Sequence, residues 1–153
     1  MQGIIDKTPI GDTNEINPDI SNENTYIDCS NYKILIVDDN ELNLKVAKKI
    51  LSKYNFNIET LNSGKDCVYN IKKGDHYDMI FLDHVMPEVD GISCAHVIKR
   101  LYGYYPPIVV ALTANAITGV REMYLNEGFD EYLSKPINIS ELNNIINKYF
   151  NNK

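Results

Sequence analysis

Apolar residues in this chain fall into short unbroken runs set between amphipathic stretches. Lys33–Val37 (KILIV), Asp78–Leu82 (DMIFL) and Pro107–Leu112 (PIVVAL) are such runs. Their length and evenness predict strands covered on both faces. Phe56–Leu61 and Phe129–Leu133 predict two more strands. The intervening stretches repeat with helical spacing. After Asp38-Asp39-Asn40, the side chains of Val46, Ala47, Ile50, Leu51 and Tyr54 share one side of a helix. Ser63 is placed to cap a second helix whose apolar side is Cys67, Val68 and Ile71, and Gly74 ends it. Gly91–Leu101 predicts a third helix. A fourth runs from about Ala114 to Asn126, with Gly128 as its stop. Ser140 is the expected cap of the last, where Leu142, Ile145, Ile146 and Tyr149 follow i, i+3, i+4, i+7 spacing.

Five strand-helix units in strict alternation imply an α/β fold, a doubly wound parallel sheet with helices on both faces. Residues 1–31 differ. They are rich in Asn, Asp, Thr, Ser, Pro and Gly, and their isoleucines keep no period. This stretch reads as a flexible linker or tail, with residues 32–153 as one folded domain.

Composition narrows the partners. The net charge of -6 argues against nucleic acid or an anionic membrane as the main target. No apolar run approaches the roughly 20 residues that span a bilayer. The start MQGIIDKTPIGD lacks the basic and apolar regions of a secretory signal. Cys29, Cys67 and Cys94 are an odd, widely spaced set, which suits free thiols in a reducing cytosol. A cytoplasmic location is therefore expected. Cys94 and His96 are neighbours, but no second pair completes the set of about four ligands that zinc requires.

In an open parallel sheet, ligands bind beyond the carboxyl ends of the strands. Here those ends carry Asp38 and Asp39, then Asp83, then Thr113, then Lys135-Pro136. Three converging carboxylates repel one another unless one is protonated or a cation holds them. A hard divalent ion with oxygen ligands and room for water, magnesium rather than caged calcium, suits the set. Such an ion can accept a phosphoryl oxygen, Lys135 a second and the Thr113 hydroxyl a third. A carboxylate so surrounded is a plausible phosphoryl acceptor. Each residue alone has an ordinary reading. Asp38, Asp39 and Asn40 could cap a helix, Asp83 could be a turn residue, Thr113 a cap, and Lys135 a solvated charge. Those readings give no reason for these types to fall at four strand ends together.

The motifs ILIVDDNELN (34–43), MIFLDHVMPEVDGI (79–92), VVALTANA (109–116) and YLSKPI (132–137) resemble the response-regulator receiver domain of bacterial two-component signalling. The likeness runs from Lys33 to about Asn151. It implies a flavodoxin-like sheet of strand order 2-1-3-4-5. It implies Asp83 as phosphoacceptor and Asp39 as a direct magnesium ligand. Asp38 would hold the ion through water, and the Val85 backbone carbonyl would be a further ligand. Lys135 would contact the phosphoryl group, ahead of a cis bond to Pro136. Thr113 and Tyr132 would form the switch pair. The implied partner is a histidine kinase or a histidine phosphotransfer domain. A homodimer could form through the face of the fourth helix, fifth strand and fifth helix, which would carry Tyr124 and Tyr132. Apolar Val85 and uncharged Asn115 suggest slow self-dephosphorylation. His84 and the other two histidines lack the helical context of a phosphohistidine donor, so His84 is expected to tune the site or pack.

Two settings stand open: a stand-alone single-domain response regulator, or the C-terminal receiver of a hybrid sensor histidine kinase. The runs DDNELNLKVA and DHVMPEVDG resemble kinase-attached receivers, and the tail GIIDKTPIGD resembles the end of a kinase ATP-binding region. The resemblance favours the hybrid kinase. The receiver itself would not be a turnover enzyme, while its parent chain would be a protein histidine kinase. An aspartate-nucleophile phosphatase would place its nucleophile on the first strand with a second Asp two residues on. Here Asp38 and Asp39 are adjacent and Glu41 stands two after Asp39. A degenerate interaction module would lack the acceptor, an acidic partner or the lysine, and all are present.

Overall fold

The computed structural model describes residues 26–102, 105–114 and 120–151. Most of the expected linker, the part of the fourth helix expected over 115–119, and Asn115 lie outside the described residues.

Along the chain come β1 (Lys33–Val37), α1 (Glu41–Leu51), a 3-10 turn (Ser52–Tyr54), β2 (Asn57–Leu61), α2 (Gly64–Lys72) and β3 (Met79–Asp83). Then come α3 (Gly91–Tyr102), β4 (Ile108–Thr113), α4 (Val120–Asn126), β5 (Glu131–Ser134) and α5 (Ile139–Phe150). The five strands pair in parallel in the order β2-β1-β3-β4-β5. The expected flavodoxin-like order is therefore the observed one.

Strand alternation divides the core into two layers. Ile34, Ile36, Met79, Phe81, Val110, Leu112 and Leu133 face α1 and α5, where Leu44, Ala47, Leu51, Leu142, Ile145 and Ile146 meet them. Leu35, Val37, Ile80, Leu82, Val109 and Ala111 face the opposite way, toward Cys67, Ile71, Cys94, Ala95, Ile98 and Tyr124 of α2, α3 and α4. The central strands can be apolar at successive positions because each face has its own helical layer.

The helix starts follow side-chain chemistry. Asn40 caps α1 by accepting from the Leu42 and Asn43 amides at 2.9 and 3.1 Å. Ser63 caps α2 as expected, accepting from the Asp66 amide at 3.0 Å. For α5 the cap is Asn138, which accepts from the Glu141 amide at 2.9 Å, and Ser140 already lies inside the helix. Either residue type can cap, so the choice depends on where β5 releases the chain.

Three further expectations change. Val46 is 48% exposed, and Leu44 takes its place on the buried side of α1. Tyr124 is buried at 1% exposure, inside the second core layer rather than on an outer face. Packing also begins before residue 32: Cys29 is fully buried, its amide donates to the Tyr54 carbonyl at 2.7 Å, and Tyr26 meets the Tyr54 ring edge-on at 5.1 Å. No described helix is long and apolar enough to cross a membrane.

Candidate functional site

Parallel pairing carries the ends of β1, β3, β4 and β5 to one edge of the sheet. At β1's end, Asp38 is 1% exposed. Its amide donates to Leu61 and its Oδ1 accepts from the Asn40 amide at 2.9 Å. Asp39, next along, is exposed. Asp83 is the last residue of β3 and is 5% exposed. Lys135 follows β5 with a cis bond to Pro136. Its Nζ lies 3.0 Å from Asp83 Oδ1 and 3.3 Å from Asp38 Oδ2. Oxygens of Asp38, Asp39 and Asp83 all lie within 4.8 Å of one another.

The charges do not balance. One ammonium faces three carboxylates. Burial pushes the Asp83 carboxyl above its ordinary value; the Lys135 hydrogen bond pulls the other way, and the charges of Asp38 and Asp39 add to the rise. Burial alone would lower the Lys135 ammonium, but its bond to Asp83 and the charge of Asp38 outweigh that, and the net shift is upward. The donor set is all hard oxygen, carries surplus negative charge and has one member open to solvent. That fits a divalent cation such as magnesium, with Asp38, Asp39 and Asp83 as its side-chain holders.

The other expected residues fall around this centre. Thr113 ends β4, is 4% exposed, and its carbonyl accepts from the Lys135 amide at 2.8 Å. Val85, two residues after Asp83, exposes its side chain. Tyr132 is set apart on β5, half-buried and stacked on Tyr124 at 6.0 Å. Asn115 lies outside the described residues. His96 does stand on a helix, α3, where its Nε2 meets Glu127 Oε1 at 3.0 Å.

Two features escaped the pattern of residue types. The first is glycine at the loop after Asp83. A Cβ on Gly91 would come 2.5 Å from the Asp83 carbonyl oxygen, and one on Gly64 would run into the Val89 carbonyl. Bare backbone at both positions lets the 83–91 loop fold down beside the acidic edge. The Asp-Gly pair at 90–91 was the visible sign. The second is a hydrogen bond from one side of His84. Its Nδ1 lies 2.6 Å from the Tyr124 hydroxyl, a partner 40 residues away that no local spacing reveals.

Comparison with known proteins agrees with this arrangement. Residues 34–147 match the family model described as the response regulator receiver domain. The chain is 35% identical over 124 residues to hybrid signal transduction histidine kinase M of Dictyostelium discoideum, covering 78% of this chain and 5% of that protein. It is 39% identical over 122 residues to the osmosensing histidine protein kinase SLN1 of Saccharomyces cerevisiae, covering 76% of this chain and 10% of that protein. The chain thus spans a tenth or less of these two kinases. Among solved structures it resembles the receiver domain of a sensor histidine kinase from Pseudomonas aeruginosa, with a magnesium ion coordinated in its active site cleft. That likeness has a TM-score of 0.67 and 31% identity, over 77% of this chain and 96% of that one. It also resembles a chain of the co-crystal structure of the yeast histidine phosphotransfer protein Ypd1 with the receiver domain of Ssk1. There the TM-score is 0.68 and the identity 29%, over 77% of this chain and 88% of that one.

Proposed function

We propose, because this chain belongs to the response regulator receiver domain family, that Asp83 is its phosphoacceptor and that it works within a hybrid sensor histidine kinase. The observation that carries this reading is the buried Asp83 carboxylate held 3.0 Å from Lys135 Nζ, with Asp38 and Asp39 beside it.

An Asp83 oxygen attacks phosphorus in line. The P–N bond to a partner phosphohistidine breaks, and its electron pair returns to the imidazole. Lys135 holds charge on the equatorial oxygens, and the Thr113 hydroxyl bonds one of them. Asp38, Asp39, Asp83 and the Val85 carbonyl would hold Mg2+, which supplies further neutralisation of phosphoryl charge. Thr113 and Tyr132 then report the loaded state. The population of that state shifts only by the contacts the phosphoryl group adds.

The partner is a histidine kinase or histidine phosphotransfer domain, and its approach is supported by the exposed side of α1. Leu42 is 68% exposed and Val46 48%. With Pro136 and Ile137 they line a groove that opens onto Asp38 and Lys135. An apolar rim beside a charged centre suits a helix that presents a phosphohistidine. A homodimer through α4, β5 and α5 is the further assembly we assign; Met123 and Leu125, each more than a third exposed on α4, support it. We assign the domain to the cytoplasm, a reading that its three free cysteines support, and read the parent chain as a protein histidine kinase.

Incubation with magnesium and acetyl phosphate tests the reading. One acid-stable, base-labile phosphoryl group per chain, lost in Asp83→Asn, is expected. Multiple turnover would point to a phosphatase instead, and no labelling to an interaction module.

A further inference from the structure

His84 follows Asp83 directly, yet nothing in the phosphoryl chemistry uses its side chain. Its main chain is already fixed from both sides. The His84 amide donates to the Leu112 carbonyl at 3.0 Å, and its carbonyl accepts from the Gly91 amide at 2.9 Å. The imidazole is therefore not needed to shape the backbone, and it reaches to α4. Its Nδ1 hydrogen-bonds the Tyr124 hydroxyl at 2.6 Å, and the two rings meet edge-on at 5.1 Å. Tyr124, from α4, is 1% exposed. It also meets Phe129 edge-on at 5.4 Å and stacks on Tyr132 of β5 at 6.0 Å.

From this geometry we infer that His84 is a positioning residue that ties the acceptor strand to α4, so that α4 follows the state of Asp83 through the His84–Tyr124 bond. The route differs from the Thr113–Tyr132 pair in its start: it leaves the residue after β3, enters α4 through the core-facing Tyr124, and meets Tyr132 only there. The bond has the properties of a link. The hydroxyl it satisfies lies on a buried tyrosine, and letting go would strand that group in the core. When the residues around Asp83 shift to accept a phosphoryl group, moving Tyr124 along costs less than breaking its bond. Phe129 and Tyr132, packed on the same ring, then feel the displacement, since close-packed side chains transmit movement rather than absorb it. The inference rests on the reading of Asp83 as acceptor.

The test uses the whole chain with magnesium and beryllofluoride, a phosphoryl mimic, followed by backbone amide NMR. In wild type, loading moves amides at the site and in α4. In Tyr124→Phe, which keeps the ring and loses the hydroxyl, the site amides of Lys135 and Asp83 still move. The α4 amides lose most of their movement. His84→Leu gives the same loss, His84→Gln restores much of the α4 response, and the double variant His84→Leu with Tyr124→Phe loses no more than either single one. A purely structural role would not produce rescue by Gln or saturation in the double variant. An undiminished α4 response in both single variants, with the mimic bound, overturns the link and leaves Asp83 as acceptor untouched. No binding of the mimic by wild type overturns the acceptor reading, and the link with it.

Discussion

Asp83 and Glu131 are both buried carboxylates that meet a lysine, and their surroundings differ in one respect. Glu131 of β5 is 4% exposed, and one oxygen takes both the Lys148 ammonium and the Tyr149 hydroxyl at 2.7 Å. Two donors thus converge on one acid. At the other site one ammonium, Lys135, serves Asp38 and Asp83 with Asp39 close by. The first arrangement closes its own charge and fastens α5 to the sheet. The second leaves negative charge over, at the edge where loops rather than strands continue the chain. Surplus charge is a cost to the fold that an added cation or a proton on one carboxylate offsets, and such costs gather where a protein departs from its own stability.

Removing the lysines breaks the comparison hardest. Lys135→Met should cut the rate of phosphoryl uptake by about 10²- to 10³-fold, the usual effect of losing one charge-stabilising donor. It should also destabilise the chain in urea by on the order of 2 kcal/mol, since Asp38 and Asp83 stay buried without a cation. Lys148→Met should leave the rate unchanged. Equal effects of the two on phosphoryl uptake would mean that the difference in charge balance has no functional meaning.

Neutralising the acids should give opposite signs. Burial lifts Asp83 above its ordinary value, so in the folded chain its charged form is the costly one. Any stability this group contributes is present below the unfolded value and lost as pH rises through the raised one. At neutral pH without metal, Asp83→Asn should therefore stabilise, by about 1 kcal/mol. Glu131→Gln should destabilise by about 1–2 kcal/mol, because its bonds lose their charge assistance. Urea midpoints for both decide it, and a shared sign would remove the distinction.

Magnesium should act on one site only. At about ten times its dissociation constant it should add about 1.4 kcal/mol to wild-type stability by mass action. It should add nothing to Asp39→Asn with Asp83→Asn, and chelation should reverse the gain. Thermal melts with and without the ion read this directly. The smallest effect concerns Val85, whose exposed apolar side chain offers no help to an attacking water. Val85→Asn should speed loss of the phosphoryl group by a few fold, about 1 kcal/mol in barrier. An unchanged decay rate would remove the basis for slow self-dephosphorylation.

The charged edge was legible from the sequence because strands announce themselves by unbroken apolar runs and parallel pairing fixes which ends meet. Asp38, Asp39, Asp83, Thr113 and Lys135 followed from that alone. What the pattern did not reveal were choices made by tertiary contact. The first helix carries Leu42, Leu44, Val46, Ala47, Ile50 and Leu51, apolar residues on more than one side, so periodicity left its inner face ambiguous. The structure buries Leu44 and turns Leu42 and Val46 out beside the site. Tyr26 and Cys29 sit at the end of a polar stretch whose average composition hides them, yet Tyr54 and the first core layer receive both. Tyr124 reads equally well as a surface or a core residue, because its hydroxyl can face water or a distant partner. The partner proved to be His84, from a strand end 40 residues earlier.

The account stands most directly on which carboxylate takes the phosphoryl group. Chain labelled with acetyl phosphate and magnesium, reduced with borohydride to trap the acyl phosphate, then digested and sequenced by mass spectrometry, identifies it. Conversion at Asp83 alone, abolished when magnesium is chelated, is the predicted result. Conversion at Asp38 or Asp39, or at several carboxylates including Glu131, would contradict it.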